Sequence, residues 1–225
     1  MKGTTPLHVT NHYRRNKSDY DEISARLDRT RRTFKESDTS EQIRMLQQSH
    51  SFAVISVQTP VHIHEDSFTK LWADDNPLEN MDDALSSVNY RNQKADYITH
   101  SLTHGHLWAN VVDMIEAGNL DEAHKYVLDN FKGVGPAKAP FTFSMLGFKE
   151  KMCIDANVIN AMGMDEHVNT VVVDKYESIC AKLREKMPTL NKTVSPFMWQ
   201  WIVFDWQRDE ISKHKPFYKV IGTLE

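Results

Sequence analysis

Apolar residues recur at helical intervals along most of this chain, and the interruptions between them carry helix caps and turn residues. Ile23, Leu27 and Phe34 set a helix over Tyr20 to Phe34. Asp38-Thr39-Ser40-Glu41 reads as an N-cap with its reciprocal Glu. The helix it opens carries Ile43, Leu46, Phe52, Val54 and Ile55, and stops at Gln58-Thr59-Pro60 because the residue before a proline avoids helical geometry. Glu65 to Trp72, Leu78 to Val88, a start at Val88 to Ile98, Leu107 to Ile115 and Leu120 to Leu128 give further short helices, with Gly118-Asn119 as a turn. Later helices are expected from Pro136, from Asp155 to Met162, over Glu166 to Met187 after a break at Gly163, and over Pro196 to Gln207 behind the cap Ser195. The last of these is apolar almost all round, so it should be buried. Residues 1–18 read as a loose polar arm, and the chain shows no repeats.

One stretch departs from plain periodicity. Phe131 to Val158 reads FKGVGPAKAPFTFSMLGFKEKMCIDANV. Gly133-Val134-Gly135 forms a hairpin whose glycines let the backbone turn tightly and expose its N–H groups. Pro136 suits the first position of the next helix, where its missing N–H costs nothing. Free N–H groups at a helix start suit a phosphate. A lone carboxylate, Asp155, follows Gly135 by twenty residues and opens a new helix, whose dipole favours an ionised group there.

Composition narrows the class. At 225 residues, with 8 Gly, 8 Pro and 26% charged residues, the chain fits a helical globular protein rather than a β-sandwich or a disordered chain. The N-terminus has no apolar core of a signal peptide, and no run approaches a membrane span. Two cysteines, Cys153 and Cys180, make neither a disulfide framework nor a four-cysteine iron–sulfur site, and an intracellular protein with reduced thiols is expected. The net charge of −4 opposes nucleic-acid binding in total. Residues 11–35, however, hold Arg14, Arg15, Lys17, Arg26, Arg29, Arg31, Arg32 and Lys35 against four acids, while residues 65–85 hold seven acids and only Lys70. One basic face and one acidic face would reconcile these, as would two solvated helix faces.

The pattern GVG-P-x-K-A, an apolar helix, and then Cys153-Ile154-Asp155-Ala156-Asn157-Val158 resembles the helix–hairpin–helix DNA glycosylases, a superfamily marked by a Gly/Pro hairpin and a later catalytic Asp. The likeness covers roughly residues 40–165. Val88 to Ile98 is similar to the family's aromatic-x-x-x-Lys-Ala-x-x-Ile helix start. The resemblance implies an all-α, two-lobed fold, with a helical barrel lobe over 41–151 and a second lobe from 1–40 plus 152–225, and a base pocket between them beside Asp155. It implies a monomeric base-excision repair enzyme that acts on double-stranded DNA containing a lesion or non-canonical base. The base itself is left open among oxidised guanine, alkylated purines, uracil or thymine in mismatches, and modified pyrimidines.

The resemblance also assigns roles. Asp155 is the catalytic carboxylate, or a helix cap, and the two are compatible. Gln58 enters the duplex to fill the space of the flipped base, or alternatively caps its helix. Lys132, Gly133, Val134, Gly135 and Lys138 contact DNA, with Lys132 standing where the family usually has Pro. By the same resemblance, main-chain carbonyls of Asp129, Phe131 and Val134 would hold a monovalent cation, and no other cofactor is implied. The Schiff-base lysine of strand-cutting members falls at Ala137, so a monofunctional glycosylase is expected. The alternatives are a lyase using Lys138, turned inward by a kink at Pro140, or a non-catalytic DNA-binding module, which leaves Gln58 and Asp155 unexplained. His62-x-His64 and His104-x-His106 lack a carboxylate or Cys at clear metal spacing. Trp72, Trp108, Trp199, Trp201 and Trp206 are either base-stacking or core residues, and Asp205 is either a second functional carboxylate or a satisfied core acid.

Overall fold

The computed structural model describes residues 6–161, 163, 173–186 and 194–224. Among these residues there are thirteen helices and no strand. They are α1 (Pro6–Arg15), α2 (Lys17–Glu36), α3 (Thr39–Ser56), α4 (Val61–Leu71), α5 (Pro77–Ala84), α6 (Arg91–Thr103), α7 (Gly105–Glu116), α8 (Leu120–Asn130), α9 (Pro140–Ser144), α10 (Ala156–Ala161), α11 (Val173–Lys186), α12 (Pro196–Arg208) and α13 (Lys215–Val220). The all-α class read from the sequence is the class observed. None of these helices is long and apolar enough to cross a membrane.

The chain divides into two compact units. One comprises Met1–Asp28 and Pro136–Lys213, the other Arg29–Gly135 and His214–Glu225. These breaks fall elsewhere than the boundaries at 40 and 151 drawn from the sequence. Helix α2 runs unbroken through residue 28, so no turn residue marks the division. The C-terminal segment belongs with the unit containing α3, whereas the sequence pattern assigns it to the other lobe.

In the unit of Arg29–Gly135 and His214–Glu225, α3 is the central element. It packs against α4, α6 and α7, while α4 also meets α5 and α13. Asp38 caps α3 as its sequence suggests, accepting a bond from Glu41 N at 2.9 Å. Phe52 sits among Phe68, Phe217 and His64, with ring centroids 5.0, 4.8 and 4.0 Å away. The short α13, which periodicity does not reveal, exists because Phe217 and Tyr218 bury completely here. Six residues are too few to stand as a helix without such packing.

In the other unit, α12 is the core, packed by α1 and α10. Ser195 caps it, accepting from Met198 N at 3.3 Å, and Phe197, Trp199, Trp201, Ile202 and Val203 are buried. The polar arm expected over residues 1–18 is instead helical from Pro6. Val9 and His12 bury, and the basic groups of its last turn (His12, Arg14, Arg15) suit the negative end of the helix dipole. Of the helix expected over 166–187, residues 173–186 are helical, and 166–172 and 187 lie outside the described residues. Met162, the expected end of α10, also lies outside them.

Candidate functional site

Gln58 lies just past α3, exposed, with φ 52°. A left-handed backbone at a residue other than glycine costs on the order of 1–3 kcal/mol and persists only where the surroundings hold it. Asn89 Nδ2 donates to Gln58 O at 2.8 Å. Lys94, only 4% exposed, donates to Ile55 O, Val57 O and Thr59 Oγ1 at 3.0, 2.5 and 2.9 Å. Burial lowers its ammonium to about 8. Neither Asn89 nor Lys94 stands out as a site residue in the sequence. Lys94 is there only a letter in a helix-start pattern, and nothing in periodicity tells a buried lysine from an exposed one.

The hairpin glycines serve different ends. Gly133 has φ 94°, and a Cβ there would meet Tyr97 Cδ2 at 2.8 Å and Val54 Cγ2 at 2.9 Å. Its bareness is therefore needed for packing on α3 and α6 as well as for the turn. Gly135 is exposed and has nothing within 4 Å of a built Cβ, so the space above it is open. Lys132 is exposed, whereas Val134 is 6% exposed, which leaves the latter only its backbone for any contact. Phe131 stacks on Trp108 at 4.0 Å, and His100 Nε2 bonds Asn130 O at 3.1 Å, fixing the end of α8.

Pro136 does not open a helix. Residues 136–139 form a turn, and α9 begins at Pro140. Pro140 therefore occupies a first helical position, where its ring is accommodated, and produces no kink inside a helix. The inward turn of Lys138 expected from a kink at Pro140 therefore does not arise, because Lys138 precedes the helix. Its Nζ lies over the Phe141 ring, 4.3 Å from the centroid.

The same turn reaches Asp155. Ile154 N donates to Ala137 O at 2.9 Å, tying the residue before Lys138 to the residue before Asp155. Both side-chain charges act on the buried Cys153 thiol, which burial pushes up to about 12. Asp155 is half-buried and caps α10, accepting from Val158 N at 2.9 Å through Oδ1, while its carbonyl accepts from Ile159 N at 3.0 Å. The capping bond occupies one carboxylate oxygen, so the cap and a second task for the other oxygen coexist.

The remaining candidates resolve mainly into structure. Asp205 is fully buried; Ser212 N donates to it at 3.0 Å and Tyr20 Oη at 3.3 Å, and burial raises its carboxyl to about 7. All five tryptophans are 9% exposed or less, with Trp108 Nε1 donating to Ser101 and Trp201 Nε1 to Ser212 O. Among the described residues no group of three His, Cys, Asp or Glu side chains forms a metal cluster. His64 packs against Phe52, and His104 Nδ1 bonds His100 O at 2.9 Å. Both cysteines are buried and free. Of the basic residues in 11–35, Arg26 is buried and donates to Lys213 O and Glu22, and Lys17 pairs with Asp21.

No protein-family model matches the chain, and no curated protein matches it. Solved structures do. The 8-oxoguanine DNA glycosylase of Thermotoga maritima is 16% identical, over 91% of this chain and 97% of that one, with a TM-score of 0.70. The Methanocaldococcus jannaschii 8-oxoguanine glycosylase/lyase, in complex with a 15-mer DNA containing 8-oxoguanine, is 16% identical over 85% of this chain and 92% of that one, with a TM-score of 0.66. A further structure of the Methanocaldococcus jannaschii 8-oxoguanine DNA glycosylase gives 16% identity, 91% and 95% coverage, and a TM-score of 0.65. The all-helical fold anticipated from the hairpin and its following Asp is thus the fold this chain has, and it is one shared with 8-oxoguanine DNA glycosylases.

Proposed function

We propose that the protein is a monomeric DNA glycosylase of base excision repair that takes oxidised guanine from double-stranded DNA by hydrolysing its N-glycosidic bond. The observation that carries this is the bond that ties the turn following the hairpin to the chain leading into Asp155. Gly135 presents an open backbone, two residues later Ala137 O is bound to Ile154 N, and Asp155 then heads α10. The neighbours' named substrate supplies the choice of base. A base is reached only after the nucleotide leaves the stack. Gln58 would fill the vacated space, and the N–H groups of Gly133 to Gly135 with Lys132 would hold the phosphates of the distorted strand. As the glycosidic bond breaks, positive charge grows on the sugar; the free oxygen of Asp155 stabilises it and orients the water that bonds to C1′. The water proton leaves through Asp155 and the base departs with the bonding pair. The main-chain carbonyls of Asp129, Phe131 and Val134 are oxygen donors that would hold a hard monovalent cation, whose positive charge would favour a phosphate near the hairpin.

A second reading has the amine of Lys138 attack the sugar and then cut the strand. The bond between Ala137 and Ile154 favours it, because it brings the chain at Lys138 beside that at Asp155. One experiment separates the two. Duplex containing 8-oxoguanine is incubated with the protein, then analysed with and without alkali, and in parallel with borohydride. Base release with strand breakage only after alkali, and no trapped adduct, is the expected result. An adduct lost in Lys138→Gln makes the enzyme bifunctional. Absence of base release from any lesion duplex removes the glycosylase reading.

A further inference from the structure

We infer that Lys94 is a positioning residue that holds Gln58 in the geometry needed to probe the duplex, by locking the end of α3 from the start of α6. The inference rests on the glycosylase reading, in which Gln58 enters DNA.

The end of a helix leaves carbonyls without intrahelical partners. At α3 the chain then turns sharply, with Val57 at φ −66°, ψ 118° and Gln58 at φ 52°. Left alone, this turn would relax, because no glycine supplies the left-handed position. Lys94 prevents that. Its ammonium has three protons and three acceptors, the carbonyls of Ile55 and Val57 and the hydroxyl of Thr59, so every donor is used. Thr59 Oγ1 also donates to Val57 O at 3.2 Å. Residues 55, 57 and 59 are thereby fixed by one point, and Gln58 lies between the last two. Asn89 completes the hold through the Gln58 carbonyl. Every backbone oxygen from Val57 to Gln58 is therefore committed, and the Gln58 side chain is left exposed.

Neither space-filling nor direct chemistry suits Lys94 as well. A buried cation is a costly way to fill space, and an apolar side chain of similar volume would pack without the desolvation penalty. None of the three partners is a carboxylate, so this is no ion pair. The lowered ammonium also invites a nucleophile's role, but a group 4% exposed with all three donors engaged has no path to a sugar carbon. What remains is the positive charge at the negative end of α3, placed to hold carbonyls that define one turn. Strained backbone held by surrounding bonds is the condition under which a side chain can be presented before its ligand arrives.

The test is binding, kept apart from catalysis. Affinity is measured for a duplex carrying a tetrahydrofuran abasic analogue, which offers a gap, and for the same duplex undamaged. The wild-type protein should prefer the gapped duplex. Lys94→Met should lose about tenfold of that preference while its affinity for undamaged duplex stays nearly unchanged, since only the gapped duplex rewards a preset wedge. Gln58→Ala should show the same loss, and the double variant should lose no more than Gln58→Ala alone, because Lys94 acts through Gln58. Should Lys94→Met fail to fold, Thr59→Val and Asn89→Ala each remove one bond of the turn, and should give a smaller loss of the same kind with near-normal melting temperature. A wild-type protein indifferent to the gap, a Lys94→Met that keeps the preference, or additive losses in the double variant would each overturn the proposal. Base release by the wild-type protein is scored separately. Gap preference without base release removes the enzyme reading and leaves the wedge support intact.

Discussion

Two turns carry the side chains on which the functional reading depends, and they are built in opposite ways. The cap at Asp155 is local, its carboxylate reaching an amide three residues on in the helix it introduces, although Ile154 N just before it is bound to Ala137 O. The turn at Gln58 is held from a distance, by Asn89 and Lys94, which lie more than thirty residues later in the chain. The first turn adopts a geometry that its own residues prefer. The second adopts one that Gln58 does not prefer and is kept there by buried hydrogen bonds. A cap leaves its carboxylate half in solvent and chemically available, whereas a clamp commits its polar groups to the backbone and makes only the clamped side chain available.

The largest effect should come from the local turn. Asp155→Asn retains an oxygen to cap α10, so the protein should fold and bind lesion DNA, yet release base slower by about a hundredfold or more, as expected for a lost transition-state charge. Single-turnover measurements decide this, and near-normal rates would remove Asp155 from the reaction.

Next in size are the two hairpin glycines, which sharpen the contrast between packed and open backbone. Gly135→Asp adds a carboxylate to open space, so the melting temperature should hold while duplex affinity drops by about tenfold or more through repulsion of the phosphate. Gly133→Ala should do the reverse. Its methyl group meets Tyr97 and Val54 below 3 Å at a positive φ, which should destabilise the fold by about 2 kcal/mol. Chemical denaturation and duplex titration on both variants test the division, and equal melting temperatures would abolish it.

A smaller effect is expected at the clamped turn itself. Gln58→Ala leaves the clamp and removes the side chain, so base release from lesion duplex should fall by about fivefold to tenfold, with little change when the lesion lies in single-stranded DNA, which has no gap to fill. A loss of the same size on both substrates would make Gln58 an ordinary helix end.

The smallest effect on activity belongs to Asp205, a carboxylate that shares with Lys94 the condition of burial. Asp205→Asn should leave base release close to wild type, because the group is fully buried against Tyr20 and Ser212. It should instead change stability against pH. Burial raises this carboxyl from 3.8 to about 7, so between those values the folded protein holds a proton that the unfolded chain has released. Stability from this group is complete below about pH 4 and is lost as pH rises through about 7. Denaturant titrations across that window should show the slope in wild type and a flatter profile in Asp205→Asn.

What could be read from the sequence was what lies within a few residues of itself. The Asp38 and Ser195 caps, the Gly118 turn, the start of a helix just past Asp155 and the all-helical class follow from side chains acting on amides one turn away, or from periodicity repeated over several turns. The hairpin was legible because Gly133-Val134-Gly135 is joined to Pro136, an apolar stretch and Asp155 at a fixed distance; the two glycines by themselves say little. Tertiary structure decided the rest. It made residues 6–15 helical by burying Val9, created α13 around Phe217 and Tyr218, and moved the helix start from Pro136 to Pro140. It also told Gly133 from Gly135, which have the same letter and nearly the same neighbours, by what approaches each in space. Lys94 is the sharpest instance: its letter says exposed and charged, and only contacts with residues 35 to 39 positions earlier make it a buried clamp. The physical reason is common to all of these. Local preferences amount to fractions of a kcal/mol up to about 1 kcal/mol per residue, while burial and buried hydrogen bonds between distant segments are larger and leave no periodic trace in the chain.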